Sequence, residues 1–446
     1  MASMQPRLLP YAERQAPRYT SYPTAPHFNA DVGSNEMGRW LSELAQDTRL
    51  SLYLHVPYCQ KLCWYCGCNT YAARRDEPIL DYVDTVLKEI DLAGDRLSAR
   101  HVTEIHWGGG TPNILNPEQF ERIARRLALR FDLTGDIQHA IELDPRYVSA
   151  EKARAYTRAG VNRASLGVQD LNDRVQQAIG RVQPLSVVQQ AVSTLRDAGI
   201  EQLSMDLMYG LPHQTADDLC NSIQLAAAMR PNRIALFGYA HVPWFKKRQR
   251  LIPEASLPGA TERFDQAETA RIELQKLGYV AIGLDHFALP EDEFSVARDE
   301  GRLRRSFQGY VIQEADALIG FGPSAISTLP QGYAQNAAEP GAWGKAIESG
   351  VFATTRGHAL SSADRIRRRL IEQIMCDFTG DLTPLGGASA CASEIETLAP
   401  MLTDGMVYID GDQLHLSEEA RPFCRLAALA FDSYAALGAA RHSRAV

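Results

Sequence analysis

At 446 residues, 45% hydrophobic and 22% charged, the chain is long enough for one large α/β domain with additions at its ends. Its net charge of −8 argues against a nucleic-acid partner, so an anionic substrate would have to find a local basic pocket. No apolar run approaches the ~20 residues that span a bilayer, and the start MASMQPRLLPYAER lacks a secretory apolar core, so a cytoplasmic protein without a membrane partner is expected.

Residues 1–50 precede the first strand and carry PRYTSYPTAP, rich in turn formers and tyrosine. From residue 51 to about 330, β-rich runs alternate with helical patterns. The strand candidates are LYLHV (Leu52–Val56), TEIHW (Thr103–Trp107), HAIEL (His139–Leu143), ASLGV (Ala164–Val168), LSMDL (Leu203–Leu207) and RIALF (Arg233–Phe237). Between them, Leu80, Val83, Leu87 and Ile90 recur at helical spacing, which predicts one buried face. Such alternation implies parallel strands with right-handed crossovers, hence an open or partial barrel. From about 360 the pattern turns mostly helical, with Ile366, Leu370 and Ile374 every fourth residue, and MVYIDGDQLHLS predicts a hairpin turning near Gly411-Asp412.

The polar motifs follow this alternation. A cysteine cluster follows strand one, Gly108-Gly109-Gly110-Thr111-Pro112 follows strand two, and Glu142 ends strand three. Gln169 follows strand four and Asp206 ends strand five. In α/β barrels the C-terminal strand ends form the active face, so these motifs are expected to converge.

Four of the eight cysteines, Cys59, Cys63, Cys66 and Cys68, fall within ten residues. The others, Cys220, Cys376, Cys391 and Cys424, stand alone and are expected to be small buried apolar residues. A metal site clusters its cysteines, whereas a disulfide framework spreads them. Cys59-x3-Cys63-x2-Cys66 offers three thiolates on one loop. Three ligands leave one iron of a [4Fe–4S] cubane open to chelate the amine and carboxylate of S-adenosylmethionine (SAM), which is the arrangement of radical SAM chemistry. A structural zinc with Cys68 as fourth ligand, a four-cysteine electron-transfer cluster and a redox pair at Cys63 and Cys66 are the alternatives. The spacing after a first strand favours radical SAM.

Beyond the cysteines, the segments PRYTSYPTA, LYLHVPYCQKLCWYCGCN, WGGGTPN, IELDPR, SLGVQD, MDLMYGLPHQT, FGYAHVP, IGLDHFA, RSFQGY, GFGPSAIS and YAQN cover nearly the whole chain. In these the sequence resembles the oxygen-independent coproporphyrinogen III oxidases, also called coproporphyrinogen III dehydrogenases. The resemblance implies a partial (β/α)6 radical SAM barrel at 51–335. An N-terminal extension at 1–50 would contribute to the substrate site, and a mostly helical domain would occupy 336–446. It implies a [4Fe–4S] cluster on Cys59, Cys63 and Cys66 and two SAM molecules. Tyr53, Gly109, Glu142 and Ile326 would line the SAM on the cluster. Tyr65, Gly110, Thr111, Gln169, Arg181, Asp206 and Ala240 would line the second. The residue types suit these roles: glycines admit a ligand close to backbone, Asp206 could accept from ribose hydroxyls, and Arg181 could hold a carboxylate.

Cys68 is not a ligand in that family, and its presence with PRYTSYPTA separates the oxidases from their haem-chaperone relatives. His55, four residues before Cys59, would tune the cluster or relay a proton, unless it is a satisfied strand histidine. The reaction implied is oxidative decarboxylation of two propionates of coproporphyrinogen III to protoporphyrinogen IX in haem biosynthesis. SAM cleavage would supply a 5′-deoxyadenosyl radical, and the first electron would come from a flavodoxin- or ferredoxin-type donor to a monomeric enzyme. A haem chaperone and a haem-degrading radical SAM enzyme are the alternatives. The four carboxylates of the substrate would need basic groups. Arg18 beside Tyr19 and Tyr22, and Arg302, Arg304 and Arg305 before Phe307-Gln308-Gly309-Tyr310, are the candidates, each of which could equally be solvated surface. Asp285-His286 carries no assigned role.

Overall fold

The computed structural model describes residues 6–312 and 315–435. Its centre is a sheet of twelve strands. All six strands read from the sequence are present: β1 (Leu50–Val56), β2 (Val102–Gly109), β3 (Gln138–Leu143), β4 (Arg163–Gln169), β5 (Gln202–Tyr209) and β6 (Arg233–Gly238). They pair in chain order, every neighbour parallel. Helical crossovers connect them: α1 (Glu77–Arg96), α2 (Pro117–Arg130), α3 (Ala150–Arg158), α4 (Leu185–Asp197) and α5 (Ala216–Ala228), with α6 (Ala260–Lys276) following β6.

The two faces of this sheet differ. Leu50, Leu52, Leu54, Ile105, Trp107, Ile141, Leu166, Leu203 and Met205 are sealed beneath the helices and build the main core. Between them Tyr53, Glu104, His106, Glu142, Ser165, Ser204 and Asp206 point to the other side and remain partly accessible. A parallel sheet buried between helices on both faces would read as continuous apolar runs; alternation here marks a polar inner face, the hollow of an open barrel.

Beyond β6 the sheet continues with β7 (Val280–Ile282) and β8 (His286–Ala288), both antiparallel additions. A separate hairpin follows, β9 (Arg304–Ser306) and β10 (Gly309–Val311). On the other side of β1 lie β11 (Ala317–Phe321), parallel to it, then β12 (Ile326–Leu329), β13 (Gly332–Asn336) and β14 (Thr354–Ala359), each antiparallel to the last. The expected boundary at 335 thus falls inside β13, and the sheet runs on to Ala359.

After it, α7 (Ser362–Cys376) packs on a three-stranded sheet of β15 (Thr379–Asp381), β16 (Val407–Asp410) and β17 (Gln413–Leu416). The hairpin expected around Gly411-Asp412 is β16–β17. A second core joins this region to the N-terminal segment, where Leu8, Tyr11, Ala16, Tyr19 and Tyr22 cluster with Ile374, Leu414, Phe423 and Phe431.

Two helical details differ from expectation. On α1 the buried stripe runs Ile79, Val83, Val86, Ile90, while Leu80 is 43% exposed and Leu87 only partly covered. Ile79 and Val86 complete the i, i+4, i+7 spacing that faces the sheet, which turns Leu80 outward. Cys376, Cys391 and Cys424 are buried as expected, but Cys220 on α5 is partly exposed. Among the described residues, no helix is long and apolar enough to cross a membrane.

Candidate active site

The loop after β1 is sewn to the turn after β2 by backbone. Gly110 N donates to Val56 O at 2.7 Å and Thr111 N to Tyr58 O at 2.9 Å. Gly109 has φ +105°, and a Cβ there would stand 2.7 Å from the His55 ring. The glycine is therefore required by the chain's own close approach and backbone conformation. The far side of the cysteine loop is held similarly. Trp64 N donates to Ile179 O at 3.0 Å, and its indole lies against Gly180 (φ +65°), where a Cβ would come within 2.8 Å.

That docking presents Arg181 to the loop. Its Nη1 lies 3.4 Å from Cys63 Sγ and 3.2 Å from Asp144 Oδ2, and Nη2 donates to Gly167 O at 2.7 Å. Cys59 Sγ receives Thr111 Oγ1 at 3.1 Å and faces Thr70 Oγ1 at the same distance. Cys66 Sγ accepts from the backbone N–H of Cys68 at 3.4 Å. Burial pushes the Cys59 thiol up, against its threonine hydrogen bonds; hydrogen bonding from Cys68 pulls Cys66 down to about 6. Each of the three sulfurs thus has a hydrogen-bond partner, the environment a set of thiolate ligands needs. Cys68 is exposed, and its carbonyl accepts from Lys246 Nζ at 3.1 Å.

These sulfurs open into a cavity of about 530 Å³. Cys59, Cys63, Cys66, Cys68, Tyr65, Gly109, Gly110, Thr111, Glu142, Gln169, Arg181, Asp206 and Ala240 all line it. Glu142, 45% exposed, accepts from His106 Nε2 at 2.9 Å. Burial lowers the affinity of His106 for a proton, but the Glu142 carboxylate outweighs it, and the net shift is upward. Asp206 sits three residues before the end of β5, inside the strand and not at its tip, so the cavity dips into the barrel. Both its oxygens are 3.0 Å from Ser165 Oγ, and burial, followed by the charge of Glu142, raises its pKa to about 6. Gln169 turns the chain at the end of β4 with φ +68°.

Tyr53, His55 and Ile326 are absent from the cavity lining. Tyr53 O–H lies 3.1 Å from His55 Nδ1, and His55 Nε2 lies 2.9 Å from the carbonyl of Asn69. A carbonyl only accepts, so Nε2 carries the proton and Nδ1 takes the tyrosine's. Burial favours that neutral ring. Both nitrogens of His55 are thus engaged, Nε2 holding the cysteine loop at Asn69 and Nδ1 holding Tyr53 of the same strand, while Tyr53 stacks on His106 with ring centroids 5.9 Å apart. Ile326 packs with Phe28, Tyr333 and Leu360.

Several residues given no role from sequence also shape the site. Asp144, in IELDPR, takes Arg146 Nη2 at 2.6 Å and Arg181 at 3.2 Å, and these arginines keep its carboxyl below the usual range despite its burial. Gln249 Nε2 ties Tyr65 O (2.8 Å) to Ala240 O (3.1 Å), joining the cysteine loop to the segment after β6.

A parallel strand–helix barrel with three hydrogen-bonded cysteine sulfurs at its mouth is the architecture of a radical SAM protein, and residues 53–226 match the family described as the radical SAM superfamily. The similarity extends well beyond that segment. An oxygen-independent coproporphyrinogen III oxidase of Bradyrhizobium diazoefficiens is 44% identical over 98% of both chains, and that of Escherichia coli K12 is 37% identical over 94% of this chain and 93% of its own. The solved structure of an Escherichia coli coproporphyrinogen III oxidase, described as a radical SAM enzyme, superposes with a TM-score of 0.89 at 35% identity, covering 94% of this chain and all of the other. The chain belongs to the oxygen-independent coproporphyrinogen III oxidase family.

Proposed function

We propose that this protein is the oxygen-independent oxidase that converts two propionates of coproporphyrinogen III to vinyl groups, giving protoporphyrinogen IX in haem biosynthesis. The observation that carries the reading is the extent of the likeness. It covers the N-terminal segment and the C-terminal region, not only the superfamily segment. Each propionate would give up a β-hydrogen atom, then carbon dioxide and one electron, the electron leaving to an external acceptor.

Cys59, Cys63 and Cys66 would hold the [4Fe–4S] cluster. When bound, it supplies the open iron and the electron for reductive cleavage of SAM. Thr111 and Arg181 would orient Cys59 and Cys63, and His55 would hold the loop through Asn69. Glu142 would receive the amine of the SAM at the cluster, beside Gly109, with Tyr53 and Ile326 supporting that side from behind. A second SAM would use Tyr65, Gly110, Gln169, Asp206 and Ala240, with Thr111 and Arg181 at its edge. Asp206 would accept from its ribose. Cys68, exposed and lining the cavity, would be a catalytic residue and not a cluster ligand. We further propose a cytoplasmic monomer reduced by a flavodoxin- or ferredoxin-type protein.

The test is anaerobic turnover of coproporphyrinogen III with SAM and a chemical reductant, products resolved by mass. Protoporphyrinogen formed together with 5′-deoxyadenosine is expected. Haem binding or haem consumption in place of decarboxylation would assign the chain to a different reaction.

A further inference from the structure

Arg305 is a buried cation whose hydrogen-bonding capacity the protein does not use up. Its side chain is 6% exposed. It lies on β9 opposite Tyr310, with its guanidinium carbon 4.7 Å from the centre of that ring. Nη2 reaches the carbonyl of Arg18 at 3.5 Å and stands 4.0 Å from Asp285 Oδ2. Nε and Nη1 are buried with no hydrogen-bond partner. A buried donor left unmet costs roughly 1–3 kcal/mol, more when charged, so two on one guanidinium point to a missing acceptor.

The surroundings say what that acceptor is. Arg305 lines a cavity of about 460 Å³ between α6, the β6–β8 edge and the C-terminal region. Arg18 and the Phe237-Gly238-Tyr239 backbone line it too, and the same four residues also line the cysteine cavity, so the two spaces adjoin. Glu268 pairs with Arg271, Glu419 with Arg7 and Glu418 with Arg421 at 2.5 Å, while Asp285 is shared between His286 at 2.8 Å and Arg305 at 4.0 Å. Arg425, also in the wall, has its pKa lowered to about 10 by burial and next by the charge of Arg18, the mark of crowded cations. Phe237, Leu284 and Phe287 supply apolar wall. An apolar pocket with a guanidinium in its wall, two of whose nitrogens are sheltered and unpartnered behind it, fits an apolar body bearing carboxylate arms.

The other arginine candidates are less suited. Arg302 is exposed and paired with Glu300; Arg304 gives Nη1 to the carbonyls of Gly301 and Leu303 and, although its Nε is also buried without a partner, it does not line this cavity.

We infer that Arg305, with Arg18 beside it, is the anchor for a carboxylate of the tetrapyrrole, holding the macrocycle in the 460 Å³ cavity so that another arm enters the cysteine cavity. The inference rests on the proposed substrate and adds the residues that recognise it. Arg305 also ties the N-terminal segment through the Arg18 carbonyl, which explains how that segment shapes the site without touching the sulfurs.

The test uses cluster-loaded protein under argon and two probes, coproporphyrin III and its tetramethyl ester, with binding followed by fluorescence quenching. Arg305→Met is expected to weaken the tetracarboxylate roughly 10- to 100-fold, the loss of a charge-assisted hydrogen bond, and to leave the ester at its wild-type affinity. Arg305→Lys, which keeps the charge and loses the planar donors, should fall between. If Arg305→Met loses iron or helical signal, Arg305→Lys and Arg18→Met carry the comparison, each expected to weaken the acid selectively. Wild-type protein that prefers the acid while every folded variant binds it equally well overturns the anchor and leaves the proposed function standing. Wild-type protein that binds neither probe overturns both.

Discussion

Arg181 reaches Cys63 and Asp144 with the same nitrogen, at 3.4 Å and 3.2 Å. Asp144 is thereby shared between two arginines, since Arg146 Nη2 holds it at 2.6 Å. The second strand-end carboxylate of the IELDPR segment therefore fixes a guanidinium against a cysteine sulfur, while the first, Glu142, stays half open to the cavity.

Removing that guanidinium should loosen the cluster. In Arg181→Met, Cys63 loses a charged donor and Asp144 keeps only Arg146. Loss of iron to an excess of chelator is expected roughly 10- to 100-fold faster than in wild type, as for a charge-assisted hydrogen bond of ~1.5–3 kcal/mol. Visible absorbance followed over time measures it. Unchanged cluster lifetime with loss of one bound SAM would instead give Arg181 to the second SAM alone.

Thr111 gives a subtler handle. Its hydroxyl donates to Cys59 Sγ at 3.1 Å. Thr111→Val keeps the shape and removes the donor. Hydrogen bonds to cluster sulfurs favour the more negative, reduced state. A differential of about 1 kcal/mol corresponds to roughly 40 mV for one electron, so the potential should fall by that order. A redox titration followed by electron paramagnetic resonance would show it; an unchanged potential would mean the hydroxyl serves only packing or ligand.

The sequence is informative about this site to different depths. The first five parallel strands were legible because each alternates apolar residues, sealed by helices, with polar ones lining the hollow, and β6 because it is a short apolar run; His106, Glu142 and Asp206 are the polar half of that alternation. β7, β8 and the β9–β10 hairpin were not, because strands of three residues carry too little periodicity. Glu142 and Asp206 could be placed by strand position, whereas the commitments of His55 and Arg181 could not. Those depend on Asn69 and Asp144, and a sequence does not show which partner a buried polar group has already taken. Gln249 left no trace at all, since Tyr65 lies 184 residues away from it.

Cys68 can be separated from the three ligands. Its backbone N–H supports Cys66 Sγ and its carbonyl accepts Lys246 Nζ, and neither depends on the thiol. Cys68→Ser should therefore keep the cluster's iron content and absorbance and lose turnover. Iron and sulfide analysis beside the anaerobic assay would decide; loss of iron would make Cys68 a ligand and close the iron that SAM needs.

Asp206 predicts a pH dependence of folding in protein without cluster or SAM. Burial and the nearby Glu142 raise its pKa from 3.8 to about 6, so the folded protein holds this proton more tightly than the unfolded chain does. The resulting stabilisation is complete below the unfolded value and is lost as pH rises through about 6, where the folded carboxylate must ionise in its pocket. A shift of this size corresponds to about 3 kcal/mol, and access of water from the cavity cuts that to ~1–2 kcal/mol. Asp206→Asn is always neutral and still accepts from Ser165 Oγ, which now spans both oxygens at 3.0 Å. The variant should therefore be more stable than wild type at pH 8, with the difference shrinking towards zero near pH 4. Urea unfolding at pH 5, 6, 7 and 8 would trace it. A constant difference across that range would mean that Asp206 is not the group whose ionisation burial opposes.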